Sequence, residues 1–167
     1  MVVSAVSASF LAHINAHQPL LLRICRMYCP DADDRQDLYQ EMVLQLWRAY
    51  PRYEARASFS TWLYRIALNI AISDLRQRTR QPTSQRLGSM LAEVTAAPDS
   101  GPDADDLGLL HRAIARLSDV EKAFVLLYLE ERTYEEMADI LGITQNNVRV
   151  KMHRIQEKLR HLLTQLA

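Results

Sequence analysis

Apolar residues recur every three or four positions along most of the chain, and the breaks between these runs divide it into helices. Phe10, Leu11 and Ile14 predict a short first helix. Pro19 suits the first turn of a second helix, where its missing N–H costs nothing, and that helix continues through Leu22, Ile24, Cys25 and Tyr28. Pro30 and the acids at 31–34 then break the chain and cap a third helix over about residues 34–50. Its apolar stripe is Leu38, Met42, Val43, Leu46, Trp47 and Tyr50, and Pro51 ends it. After an irregular stretch at 52–57, a fourth helix starts near Ser58 or Ser60 and reaches about Arg80, with Leu63, Ile66, Ala67, Ile70 and Leu75 as its stripe.

The periodicity then lapses. Residues 81–106 hold Pro82, Gly88, Pro98, Gly101 and Pro102 among Ser, Thr and Asp, which predicts a linker; Leu87, Met90, Leu91 and Val94 could form one brief helical turn within it. Beyond it, Leu107, Leu110, Ile114 and Leu117 return at helical spacing. Ser118 with Glu121, and Thr133 with Glu136, are capping boxes, because each partner can satisfy an orphan N–H of the other. Gly142 tolerates the left-handed conformation that ends a helix, and Thr144 can cap a final helix over about residues 145–163. The prediction is an all-α chain of two small helical domains, residues 1–80 and 107–167, joined by a flexible linker at 81–106.

Composition sharpens this. In 167 residues there are only four Gly and six Pro, so helix breakers are scarce, and 49% hydrophobic content is enough for packed cores. No apolar run reaches the roughly 18 residues that a membrane span needs, and the first ten residues carry no basic group, which makes a poor secretory signal. Two cysteines cannot build a disulfide framework, so the expected setting is the reducing cytoplasm, with Cys25 and Cys29 as small buried hydrophobes. Lys plus Arg equals Asp plus Glu at 20 each, yet the balance is uneven along the chain: residues 52–80 carry net +4, residues 81–106 net −4 and residues 144–163 net +4. Two basic patches of this kind suit a polyanion better than the neutral total suggests.

Two constellations carry chemistry. Residues 133–152 read as helix, tight turn, helix, with Ala138 at the close approach, Gly142 in the turn, Val148 as anchor, and Met137, Leu141 and Ile143 in the shared core. In a helix-turn-helix, the second helix enters the major groove and reads bases with its N-terminal residues. Here Thr144 caps that helix, and Gln145, Asn146, Asn147, Arg149, Val150, His153 and Arg154 occupy its reading positions; Asn and Gln suit adenine, Arg suits guanine. The bland alternative is a helical hairpin used only for packing, against which capping, turn and a basic second helix agree. In the first half, Tyr53, Phe59, Trp62 and Tyr64 interleave with Arg52, Arg56 and Arg65, the pairing of stacking and phosphate neutralisation that single-stranded bases require. Trp62 is balanced between that role and the core, and Tyr64 favours the core. His13, His17, Cys25 and Cys29 invite a zinc reading, which Pro19 opposes by placing the two pairs on different helices; no metal is expected, and no cofactor.

The runs Asp33-Asp34-Arg35-Gln36-Asp37-Leu38-Tyr39-Gln40-Glu41, Leu46-Trp47-Arg48-Ala49-Tyr50 and Phe59-Ser60-Thr61-Trp62-Leu63-Tyr64-Arg65-Ile66-Ala67-Leu68-Asn69 resemble region 2 of the sigma-70 family, and residues 107–164 resemble its region 4. The closest group is the small two-domain type called extracytoplasmic-function sigma factors, and the resemblance covers about 130 residues in the family's order. It implies a non-enzymatic protein that binds the bacterial RNA polymerase core and directs it to promoters, region 2 recognising and melting the minus-ten element and region 4 reading the minus-thirty-five element. By the same resemblance, Tyr53, Arg56 and Ser58 belong to a base-capturing loop, with Trp62 and Arg65 beside it. Asn69 lies near a flipped base, and Arg76, Arg78 and Arg80 neutralise backbone. Asp37, Gln40, Glu41, Leu44 and Trp47 would dock on the clamp helices of the largest polymerase subunit, and Phe124, Leu127 and Tyr128 would cradle the flap tip of the second-largest. The acidic linker would mimic RNA in the exit path, and an anti-sigma factor is the further partner implied. Val150 stands where relatives often carry a small polar residue, which leaves the base preference open.

Two other readings compete. A stand-alone helix-turn-helix regulator would need a dimer helix and no polymerase-binding element; the signature at 34–50 argues against it. A degenerate paralogue that only sequesters an anti-sigma factor would not need Asn69, Arg149 and Arg154. An enzyme is least favoured, because no Ser/His/Asp arrangement, phosphate loop or metal-ligand spacing is present.

Overall fold

The computed structural model describes residues 2–80 and 103–167. Every regular element among the described residues is helical, and the chain divides into two compact units, Met1–Thr83 and Ser84–Ala167.

The first unit is a three-helix bundle of α1 (Val2–Tyr28), α2 (Ala32–Ala49) and α3 (Phe59–Arg80), with each pair of helices in contact. The two short helices expected on either side of Pro19 are one: α1 runs unbroken with Pro19 inside it. An interior proline removes a hydrogen bond to the preceding turn and costs about 3 kcal/mol. The helix absorbs that cost because Phe10, Ile14, Leu21, Ile24 and Tyr28 lie on one stripe and are all buried. Side chains of this size contribute roughly 1.5–3 kcal/mol each on burial, so the stripe outweighs the proline, whose own ring is exposed.

Asp31 begins α2 by accepting hydrogen bonds from the backbone N–H groups of Asp33 (2.9 Å) and Asp34 (3.1 Å), so the helix starts slightly earlier than expected. Leu38, Met42 and Leu46 are its buried face, and it ends in a single 3-10 turn, Tyr50–Arg52, built around Pro51. Ser58 starts α3: its hydroxyl accepts from the Thr61 N–H at 3.2 Å. The buried face of α3 is Phe59, Leu63, Tyr64, Ala67, Leu68 and Ala71. Ile66, Ile70 and Leu75, expected in the core, sit at its edge, because the stripe is rotated toward the aromatic side of the helix.

The second unit contains α4 (Asp103–Ala115), α5 (Asp119–Leu129), α6 (Tyr134–Leu141) and α7 (Gln145–Leu166). Helix α4 starts at Asp103, inside the segment assigned to the linker, and Leu107 at its outset is exposed. The remainder of that segment, with the suggested turn at 87–94, lies outside the described residues. Both capping boxes form. Ser118 N–H donates to Glu121 at 2.8 Å and Glu121 N–H to Ser118 Oγ at 3.3 Å. Thr133 N–H donates to Glu136 at 2.8 Å, and Glu136 N–H to Thr133 Oγ1 at 3.2 Å. Glu121 also accepts from Lys158 Nζ at 2.8 Å, which ties α7 to the start of α5.

Gly142 ends α6 at φ 67°, and the Ile143 N–H reaches back to the Ala138 carbonyl at 3.2 Å. The same reverse turn closes α5, where Arg132 N–H donates to the Leu127 carbonyl at 3.0 Å, but there Glu131 takes the left-handed position at φ 56°. No glycine marks that turn in the sequence. Met137, Ala138, Ile140 and Val148 are buried where α6 meets α7; Ile140 takes the core place expected of Leu141, which is only half-buried.

Candidate nucleic-acid and polymerase interfaces

Helix α7 is amphipathic in the sense a reading helix requires. Val148, Met152 and Ile155 face the core. Gln145, Asn146, Asn147, Arg149, Val150, His153 and Arg154 are all exposed. Thr144 caps the helix by accepting from the Asn147 N–H at 3.2 Å, so its side chain is spent on the fold. His153 Nδ1 lies 3.6 Å from Glu157 one turn on. The N-terminal end therefore offers three amides, two guanidiniums and one aliphatic group, with the positive end of the helix dipole behind them.

In the first unit, the loop at 53–58 is held from inside. Tyr53 O–H donates to the Ala57 carbonyl at 2.9 Å and Ala55 is left-handed at φ 54°, an unusual conformation for a residue with a Cβ. Tyr53 and Trp62 (ring centroids 5.0 Å apart) belong to a half-buried aromatic cluster with Tyr50 and Phe59. Trp62 thus divides between core and surface, and Tyr64 is fully buried. Ser58 is the cap of α3 rather than a free hydroxyl. Arg56 is exposed beside Glu54 at 2.6 Å. Arg65, Asn69, Arg76 and Arg80 are exposed along α3.

Arg78 sits differently. It bridges Asp74 (2.6 Å) one turn back and Asp34 at the start of α2. Burial alone would lower its pKa, but the hydrogen bonds to Asp34 and Asp74 outweigh this and raise it above the ordinary arginine value. The guanidinium expected to neutralise backbone is a strut between two helices. Its i,i+4 spacing to Asp74 was visible in the sequence; the long-range partner Asp34 was not.

The outer face of α2 carries Asp37, Gln40, Glu41, Leu44 and Trp47, and all five are exposed, Leu44 at 42% and Trp47 at 37%. Glu41 accepts from Gln45 at 2.7 Å. Trp47 rests edge-on against Phe10 at 5.0 Å, a contact the sequence did not suggest. Between α2 and α3 lies an open groove of about 720 Å³, lined among others by Asp37, Glu41, Ile66, Asn69 and Ile70. Residues assigned to different partners, Glu41 and Asn69, thus share one concavity.

On α5, Phe124 and Leu127 are core (2% and 0% exposed), which leaves Val120, Tyr128 and Leu129 as its outward apolar groups.

His13, His17 and Cys25 lie on the single helix α1 and Cys29 follows its end, so Pro19 does not place the two pairs on different helices. What separates them is length: positions 13 and 25 are about 18 Å apart along a helix. His13 stacks on Phe59 at 4.5 Å and bonds the Tyr50 hydroxyl at 3.0 Å. Burial pushes both thiols up to about 11, and Cys25 meets the Met42 sulfur at 4.0 Å. No group of three or more metal-ligating side chains occurs among the described residues.

A three-helix unit followed by a helical unit that ends in a helix-turn-helix with an exposed basic second helix is the architecture of a DNA-binding protein. The model for sigma-70 region 2 matches residues 13–81, and that for sigma-70 region 4 matches residues 107–159. The chain is similar to the RNA polymerase sigma factor CarQ of Myxococcus xanthus, 32% identical over 131 residues that cover 78% of this chain and 75% of that protein. It is similar also to the ECF RNA polymerase sigma factor SigW of Bacillus subtilis, 23% identical over 169 residues, 95% of this chain and 90% of that one. The structure of the sigma factor RpoE in complex with the anti-sigma factor NepR from Bartonella quintana has the same fold, with a TM-score of 0.69 at 21% identity over 93% of this chain and 97% of that one. The chain belongs to the sigma-70 family, in its extracytoplasmic-function group: it is a sigma factor, which directs RNA polymerase to promoters. Sigma factors are non-catalytic initiation factors. No helix among the described residues is long and apolar enough to cross a membrane.

Proposed function

We propose that the two units divide initiation between them. Residues 1–80 bind the polymerase clamp helices through Asp37, Gln40, Glu41, Leu44 and Trp47, and capture the minus-ten element with the loop at 53–58, Trp62, Arg65 and Asn69. Residues 107–167 read the minus-thirty-five element through α7 and meet the flap tip through Tyr128 and its neighbours. Residues 81–106 tether the two, so that each can reach its own promoter element. The protein works in the cytoplasm, where polymerase is, and an anti-sigma factor is its further partner, as NepR is for RpoE.

The observation that carries the polymerase half is the partition of α2. Leu38, Met42 and Leu46 complete the bundle without help, while the opposite side keeps two acids, an amide and two large apolar groups in solvent. A stand-alone regulator has no use for such a stripe. Unstacking a base costs a few kcal/mol, and the internally bonded loop at 53–58 suits a pocket prepared to hold one.

Two variants separate the assignments. Glu41→Lys reverses a charge on the docking face and is expected to weaken association with core polymerase in a pull-down. Asn69→Ala is expected to leave association intact and slow open-complex formation. Normal co-purification of Glu41→Lys would count against docking through α2, and a loss of core affinity in Asn69→Ala equal to its loss of activity would count against base reading.

A further inference from the structure

The outward face of α7 has an aliphatic centre. A helix turns about 100° per residue, so Val150 lies roughly 200° around the axis from the buried Val148 and opposite the middle of the stripe formed by Val148, Met152 and Ile155. Asn146 and Arg154, four residues before and after it, lie nearest its line at about 40° to either side, while His153 falls about 60° and Arg149 about 100° away. Val150 is 42% exposed, and no part of the core needs it. A β-branched residue is also a poor choice for an exposed helical position when only helicity matters.

A lone exposed apolar side chain is ordinary on a protein surface. This one occupies the point of a groove-entering helix that approaches the base edges first, where flanking arginines can reach outward to guanine or phosphate. An isopropyl group there can neither donate nor accept a hydrogen bond. Over an amino group or a carbonyl of a base edge it would strip water and return nothing. The major groove has one base feature that rewards it, the C5-methyl group of thymine.

We infer that Val150 is a specificity-determining residue that selects a thymine methyl group in the minus-thirty-five element. The inference rests on the proposed reading of α7 as the recognition helix, and goes beyond it by naming the base group at one position. Asn146 and Asn147, one turn earlier, place adenine-reading amides beside it, so the favoured thymine belongs to an A·T-rich stretch.

The test is a methyl deletion. The best-bound duplex is selected from a randomised pool with the full chain, and each thymine in it is replaced singly by deoxyuridine, which lacks only the methyl group. One replacement should weaken binding of the unaltered protein about fourfold, the factor expected for one methylene-sized contact, and the others should change little. Val150→Ala should bind the thymine and deoxyuridine duplexes at that position equally, and still prefer the selected duplex over a scrambled one. Indifference of the unaltered protein to every replacement, with preference over the scrambled duplex retained, would overturn the inference and leave α7 as the reader. Val150→Ala still sensitive to the methyl group would assign that contact to another residue. Failure of the unaltered protein to distinguish selected from scrambled duplex would overturn the recognition-helix reading itself.

Discussion

Arg78 and Arg154 carry the same charge in opposite circumstances. Arg78 is held between Asp74 and Asp34, with 29% of its side chain exposed, whereas Arg154 stands out from α7. Exposed ion pairs contribute little, and half-exposed Asp34 limits this one, so Arg78→Gln should lower stability by about 1 kcal/mol in urea denaturation. Arg149→Ala and Arg154→Ala should leave stability within about 0.5 kcal/mol and weaken duplex binding by about 1–3 kcal/mol each. Duplex affinity unchanged in both variants would remove the recognition-helix assignment. Stability unchanged in Arg78→Gln would mean that the strut contributes nothing to the bundle.

At the scale of elements, short-range chemistry was the legible part. Each capping box, the Gly142 turn and the buried-exposed division of α7 follow from residues within four positions of one another. Pro19 misled because the rule against interior proline is local, while the stripe that overrides it is buried by two other helices. The helix-bridging pair of Arg78 was hidden for the same reason: half of it comes from a residue 44 positions away. Glu131 in the left-handed position carried no signal at all, since the usual marker is glycine.

The caps also make an acid-sensitive unit. Burial would raise the Glu121 carboxyl, but its bonds to Lys158 and Ser118 prevail and hold it below the ordinary value. The Thr133 backbone N–H lowers Glu136, with Arg132 helping. A carboxyl depressed in the folded state stabilises fully above its unfolded value of about 4.3. That stabilisation is lost as pH falls through the folded value. Glu121→Gln with Glu136→Gln should therefore lower the melting temperature at pH 7 and flatten its decline below about pH 4.5. An acid decline as steep as in the unaltered protein would contradict this.

For the whole molecule, zero net charge conceals two basic surfaces and an acidic stretch between them in sequence. That pattern fits a protein that touches a polyanion at two places and a protein partner elsewhere, rather than one that coats DNA. Each unit is small, and each leaves large apolar groups in solvent: Leu44 and Trp47 in the first, Tyr128 and Leu129 in the second. On the proposed reading, the polymerase covers these groups. The most direct test adds the purified full chain to bare bacterial core polymerase and follows run-off transcription on a library of promoter templates. The account predicts transcripts from a discrete subset of templates that share two spaced elements, and none from core alone. Folded protein that leaves core polymerase without any start-site preference would contradict it.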